Sequence, residues 1–229
     1  MPAPATPRAR RANAMSVEDK QRRRLELLSA ARTLFRRHGE LPTVADIAGA
    51  TGLAKGTVYL YFRTKEEIFV ALLEDDFARL LQALQELIAE LPGDRRLAPT
   101  AFAGAFAQAL TTLPDLLSLA ALAHGVLEKN LPLAAMQRFK GGLATGLRVA
   151  GEALSQRFPG ISSTAGNSLL LHSWALTLGL SQSLRVPEAL AQALQGPEFA
   201  VLRRDPGDDL QSALAALWRG SLPVTAGPE

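Results

Sequence analysis

Residues 43 to 65, Thr-Val-Ala-Asp-Ile-Ala-Gly-Ala-Thr-Gly-Leu-Ala-Lys-Gly-Thr-Val-Tyr-Leu-Tyr-Phe-Arg-Thr-Lys, leave the backbone few choices. Thr43, with Asp46 three residues on, is a capping-box pattern that starts a helix, and the carboxylate suits the positive helix N-terminus. Ile47 faces inward from that helix, and Ala48 admits a second helix closely. Gly52 supplies the left-handed backbone that a tight interhelical turn needs, and Leu53 plugs the angle. The chain re-enters helix near Ala54 or Lys55, where Val58 and Phe62, four residues apart, point inward together. Lys55, Thr57, Tyr59, Leu60 and Tyr61 are left for the outer surface. Cationic, hydroxyl and aromatic groups on the second of two short helices make a helix-turn-helix that reads double-stranded DNA. Gly56 has no side chain to block a phosphate or base edge, and the free N–H groups at that helix start favour an anion. Lys65, opening the next helix, can clamp the DNA backbone from the other side. The expected DNA-binding set is Thr43, Lys55, Gly56, Thr57, Tyr59, Leu60, Tyr61 and Lys65.

Charge agrees with that placement. The 229 residues carry a net +3, but residues 1–65 hold 13 Lys and Arg against 5 Asp and Glu, a net of +8 that leaves −5 for the remainder. A polyanion partner is therefore expected for the N-terminal third. Arg8, Arg10, Arg11, Lys20, Arg22, Arg23 and Arg24 lie before and within the first helix, within reach of phosphates or a neighbouring minor groove. The opening Met-Pro-Ala-Pro-Ala-Thr-Pro-Arg lacks the apolar stretch of a secretion signal and reads as a flexible basic arm over 1–15. No run of about 18 apolar residues suggests a membrane span. The chain has no cysteine, which removes disulfides, cysteine-held metals and thiol nucleophiles. A cytoplasmic location without membrane contact is expected.

Past the helix-turn-helix domain of 16–64, apolar residues at three- and four-residue spacing from Ile68 to Ile88 predict one long connecting helix from Lys65 to about Leu91, ended by Pro92-Gly93-Asp94. Further helices are predicted over roughly 99–112, 114–129, 132–157, 162–185, 187–195 and 207–219, separated by proline and glycine breaks, with a loose tail over 221–229. The expected fold is all-α: an N-terminal three-helix helix-turn-helix domain and a helical domain over 65–220. Leucines surround most of the helix at 162–185, and Leu210, Leu214, Leu217 and Trp218 stripe the last one. Such faces need cover, from the core of a monomer or from a second subunit. DNA reading itself calls for a dimer, because one short recognition helix contacts too few base edges to find a genomic site.

The chain resembles the tetracycline-repressor-like (TetR) family of bacterial transcriptional regulators from about Gln21 to Leu73. The resemblance is carried by Arg23-Arg24-Leu25-Glu26-Leu27-Leu28-Ser29-Ala30-Ala31-Arg32-Thr33-Leu34-Phe35, by Gly39, by Thr-Val-x-x-Ile-Ala at 43–48, and by Lys-Gly-Thr-Val-Tyr-x-Tyr-Phe-x-x-Lys-Glu-Glu at 55–67. It departs in the Gly39–Thr43 connection, which is a residue short and lacks the usual aromatic. The resemblance implies a four-helix homodimer interface from two C-terminal helices per subunit, near 162–185 and 207–219. It also implies an effector cavity in the C-terminal helical domain against the helix that begins at Lys65. Polar residues within those apolar helices, His124, Glu128, Asn167, His172 and Trp174, with Gln137 and Gln182, become candidates for orienting a small molecule. Leucine and alanine surroundings call for a largely apolar one. Repression by steric exclusion, relieved by the effector, is the expected action.

A catalytic constellation is missing from the sequence. His38, His124 and His172 are scattered without metal-ligand spacing, Gly141, Gly142 and Gly146 precede no Gly-Lys-Ser/Thr, and the pairs Glu66-Glu67 and Asp75-Asp76 diverge along their helix. No enzyme activity, cofactor or metal is expected. Two other classes stay open at this point: an architectural DNA-binding protein without effector, and a helical enzyme or carrier with a basic accessory segment.

Overall fold

The computed structural model describes residues 17–123, 125, 128–184 and 188–222. Among these there is no strand, and the elements are α1 (Val17–His38), α2 (Val44–Thr51), α3 (Lys55–Val58), α4 (Lys65–Glu90), α5 (Ala98–Thr111), α6 (Leu116–Leu122), α7 (Leu133–Arg157), α8 (Ser163–Leu184), α9 (Glu188–Ala193) and α10 (Pro206–Ser221). The chain separates into two compact units that divide between Arg63 and Thr64. The basic arm, with Arg8, Arg10 and Arg11, and the tail from 223 onward lie outside the described residues.

In the first unit α1 buries Leu27, Leu28, Ala31 and Phe35, a stripe with helical spacing, and α2 buries Val44, Ile47 and Ala48. Val58 and Phe62 complete the core, at 0% and 4% exposure, so the inward pair read from the sequence holds. The turn forms as its glycine dictates. Gly52 sits at φ 67°, ψ 23°, and Leu53 N–H donates to the Ala48 carbonyl at 2.9 Å, a closure of the helix end that a side chain at Gly52 would strain.

The second unit is built around α4, which packs against α5, α6 and α7, while α8 and α10 pack on each other and α10 packs on α5. Thr64 caps α4 by accepting from Glu67 N–H at 3.2 Å. Most of the expected stripe on α4 is buried, from Ile68 to Ile88, but Phe77 and Leu81 stay half-exposed beside a cleft. The close crossing of α7 and α8 depends on two glycines. A Cβ on Gly151 would lie 1.8 Å from Asn167 Oδ1, and one on Gly166 would lie 2.8 Å from the Gly151 carbonyl oxygen. At the centre, the indole of Trp218 from α10 stacks on Phe102 of α5, with ring centroids 3.6 Å apart, and its Nε1–H donates to Ser173 Oγ of α8 at 2.9 Å.

Two stretches differ from what the proline spacing implied. Among the described residues of 114–129, regular α-helix spans α6, and a 3₁₀ turn lies at Glu128–Asn130. Between α9 and α10, Pro197–Leu202 forms a 3₁₀ helix with no buried residue, where only a break was expected.

Candidate nucleic-acid interface and an apolar cleft

The cap of α2 forms in full. Asp46 N–H donates to Thr43 Oγ1 at 3.2 Å, while Thr43 returns both its hydroxyl, at 2.7 Å, and its backbone N–H, at 2.9 Å, to Asp46 Oδ2. Those two donors, the hydroxyl first, hold the Asp46 carboxyl below its ordinary value. A folded-state pKa below the unfolded one stabilises the fold above the unfolded value, and that stabilisation is lost as pH falls through the lowered folded value. Asp46→Asn is therefore expected to be less stable than wild type at neutral pH, with the difference closing on acidification; thermal unfolding between pH 7 and pH 3 measures it. A gap that stayed constant across that range would contradict the capping role.

From Ala54 the backbone makes the expected second helix in compressed form. Only Lys55–Val58 is α-helical; the chain then tightens, with Leu60 N–H donating to Thr57 O, Tyr61 N–H to Val58 O and Phe62 N–H to Val58 O, at 3.0–3.1 Å. Gly56 and the β-branched and aromatic residues that follow are weak helix formers, which accounts for the short run. This corrects the reading of a regular recognition helix reaching Phe62. Lys55 is exposed, Tyr59 is 46% and Leu60 81% exposed, and Thr57 and Tyr61 are half-buried. Gly56 is exposed, and a Cβ built on it meets nothing within 4 Å. Thr43 is exposed at the cap, with its hydroxyl engaged by Asp46. Lys65, the first residue of α4, is half-buried and belongs to the second unit.

The arginines of α1 have structural partners that the charge count did not reveal. Arg24 Cζ lies 5.2 Å from the centroid of the Phe62 ring, a cation–π contact that ties α1 to the end of the turn region. Arg22 pairs with Asp19 at 2.6 Å and Arg23 with Glu26 at 2.6 Å. Both pairs are solvent-exposed and worth little, so they yield readily to a phosphate.

The second unit carries an apolar cleft of about 120 Å³. Phe77, Leu80, Leu81 and Leu84 of α4 form one side, Phe102 and Phe106 of α5 another, and Leu143 and Leu147 of α7 with Leu170, Leu171, Ser173 and Trp174 of α8 the rest. Of the expected ligand-orienting residues, Trp174 lines it, its ring edge-on to Phe77 with centroids 5.0 Å apart. Asn167 does not; it is held at the α7–α8 crossing, its Oδ1 buried with no hydrogen-bond partner among the described residues. His172, Gln137 and Gln182 are likewise absent from the cleft lining, and His172 and Gln182 are exposed. His124 and the side chain of Glu128 lie outside the described residues. Sequence reasoning missed Ser173, whose hydroxyl donates to Leu169 O at 2.8 Å while accepting from Trp218. A serine inside a leucine-rich helix was the available signal. Among the described residues no single helix is long and apolar enough to cross a membrane.

Comparison with known proteins follows the same division. Residues 27–72 match the family model of bacterial regulatory proteins, tetR family, and residues 74–224 match that of the tetracyclin repressor-like C-terminal domain. The uncharacterized HTH-type transcriptional regulator YfiR of Bacillus subtilis (strain 168) is 40% identical over 73 residues, 31% of this chain and 36% of that protein. The HTH-type transcriptional repressor AcnR of Corynebacterium efficiens is 39% identical over 64 residues, 28% of this chain and 34% of that protein. The chain thus spans about a third of the length of the curated relatives it matches. A crystal structure assigned to the TetR-family transcriptional regulators, from Mesorhizobium loti MAFF303099, aligns over 89% of this chain and 96% of its own with a TM-score of 0.56 at 16% identity, which establishes a shared fold.

Proposed function

Because the chain belongs to the tetR family of bacterial regulatory proteins, whose members bind DNA to regulate transcription and are not enzymes, we propose that it acts in the cytoplasm as a dimeric repressor that occupies a palindromic operator and is released by a small, largely apolar effector. The observation that carries this reading is the apolar cleft of the second unit, in a chain whose first unit presents an exposed Lys55-Gly56 helix start. Repression, as the sign of regulation, is supported by the repressor AcnR among the relatives. The DNA-contacting set is Thr43, Lys55, Gly56, Thr57, Tyr59, Leu60, Tyr61 and Lys65, with Lys55 and Lys65 on phosphates and Leu60 and the tyrosines toward base edges.

Dimerisation through α8 and α10 is supported by what those helices leave uncovered. The buried stripe of α8 includes Ser173 and Thr177, whose hydroxyls return to carbonyls of their own helix, while Leu171 is 53% exposed and Leu176, Leu178 and Leu180 are half-buried. Leu210 and Leu217 of α10 are half-buried as well. A second copy covers such surface.

Release then follows from linkage. Two recognition elements must sit about 34–36 Å apart to enter successive major grooves. An effector that prefers a mis-spaced dimer by about 1–3 kcal/mol or more lowers operator affinity correspondingly. The test is a footprint of the full chain on the DNA flanking its own coding sequence at two salt concentrations. A protected palindrome whose affinity falls steeply with salt is expected. Uniform, salt-sensitive coverage would instead mark an architectural binder, and affinity indifferent to salt would sink the assignment of the basic unit.

A further inference from the structure

We infer that the cleft selects a compact, uncharged ring, a monocyclic aromatic hydrocarbon or a phenol, over an ionised acyl chain. This rests on the reading of the cleft as the effector site and names the chemistry it selects. Size is the first argument. The cleft of about 120 Å³ is close to an engineered apolar cavity of about 150 Å³ that takes benzene, and well below the roughly 300–1,000 Å³ of sites for drug-sized ligands.

Wall chemistry points the same way. Phe77, Phe102, Phe106 and Trp174 contribute rings to the lining, and the edge-on Phe77–Trp174 pair shows the geometry that a further ring extends. No charged side chain lies among the described residues lining the cleft, so an ionised carboxylate would be buried there without a partner. The hydroxyl of Ser173 already donates to Leu169 O and accepts from Trp218 Nε1–H, which leaves one acceptor lone pair. That lone pair suits an incoming O–H and offers nothing to a carbonyl.

Gly146 of α7 sets the dimension. A Cβ there would lie 2.4 Å from Leu81 Cδ1, so Leu81, which lines the cleft, rests in space that glycine leaves open. Gly146→Ala must displace Leu81 and reshape the cleft. Occupancy also has a built-in reporter. Both tryptophans of the chain sit at this site: Trp174 in the lining, and Trp218 stacked on Phe102 and bonded to Ser173, both of which are lining residues.

The experiment titrates the full chain with toluene, phenol and decanoate, following tryptophan emission and the thermal midpoint, in wild type, Trp174→Phe and Gly146→Ala. Toluene and phenol are expected to saturate one site, phenol the tighter, with the emission change persisting through Trp218 when Trp174 is replaced. Decanoate at the same concentrations leaves both signals unchanged, and Gly146→Ala binds toluene about tenfold or more weakly. Tighter binding of decanoate than toluene, no saturable toluene binding, or a folded Gly146→Ala that binds toluene like wild type would each overturn the inference. Release of operator DNA is scored separately. Rings that bind without releasing DNA uphold the ring site and remove the effector reading, whereas release by decanoate alone overturns the ring site and leaves the effector reading standing.

Discussion

Gly56→Glu is expected to weaken operator binding by more than about 100-fold, or about 2.7 kcal/mol, while leaving the fold intact. The fold is spared because Gly56 is exposed, lies outside the positive-φ glycines and has nothing within 4 Å of a built Cβ. A surface change of that kind stays within about 0.5 kcal/mol of stability. Binding suffers because the carboxylate stands where free N–H groups and Lys55 favour a phosphate, and the proposed dimer would carry the change twice. Gly56→Gln, with similar bulk and no charge, is expected to lose less. Anisotropy titrations on the footprinted operator, paired with thermal unfolding of each variant, measure both quantities. Wild-type affinity in Gly56→Glu would mean that the α3 start does not approach DNA.

Trp218→Ala is expected to destabilise the second unit by about 3–5 kcal/mol. Trp218 is fully buried, and its ring lies against Phe102, so truncation leaves a void between α5, α8 and α10 that close-packed helices fill only in part. Ser173 keeps its own donation to Leu169 O, so the loss is mostly of packing. For a unit of this size the midpoint falls by roughly 6–20 °C, against a total stability of about 5–15 kcal/mol. Trp218→Phe keeps the stacked ring and loses the Nε1–H donor, and is expected to fall between the two. The remaining Trp174 reports the transition. A midpoint shift of less than about 2 °C in Trp218→Ala would show that the unit is not organised around this indole.

How far each feature was legible depended on the range of the contacts behind it. The cap of α2, the left-handed Gly52, the inward Val58–Phe62 pair and the span of α4 all rest on bonds or spacings within a few residues, and each was readable directly. The segment 55–62 was readable as helical but not as a four-residue helix, since residue type states a propensity while the local hydrogen-bond closure decides the length. The candidate ligand residues fared differently. Asn167 and His172 look alike in sequence, polar groups in apolar helices, yet one is locked at a helix crossing and the other is exposed. Periodicity marks a face without naming the neighbour that covers it.

The sequence by itself determined an all-helical chain, a capped and glycine-broken helix-turn-helix, and a concentration of positive charge at its N-terminal end, because those follow from backbone preference and residue count. The tertiary structure alone decided where the cleft lies, that Ser173 in its lining bonds Trp218, 45 residues away, that Gly146 makes room for Leu81, and that Arg24 rests on Phe62. Such contacts join residues far apart in the chain, and their geometry is set when helices pack to native density, where one methyl group decides what fits.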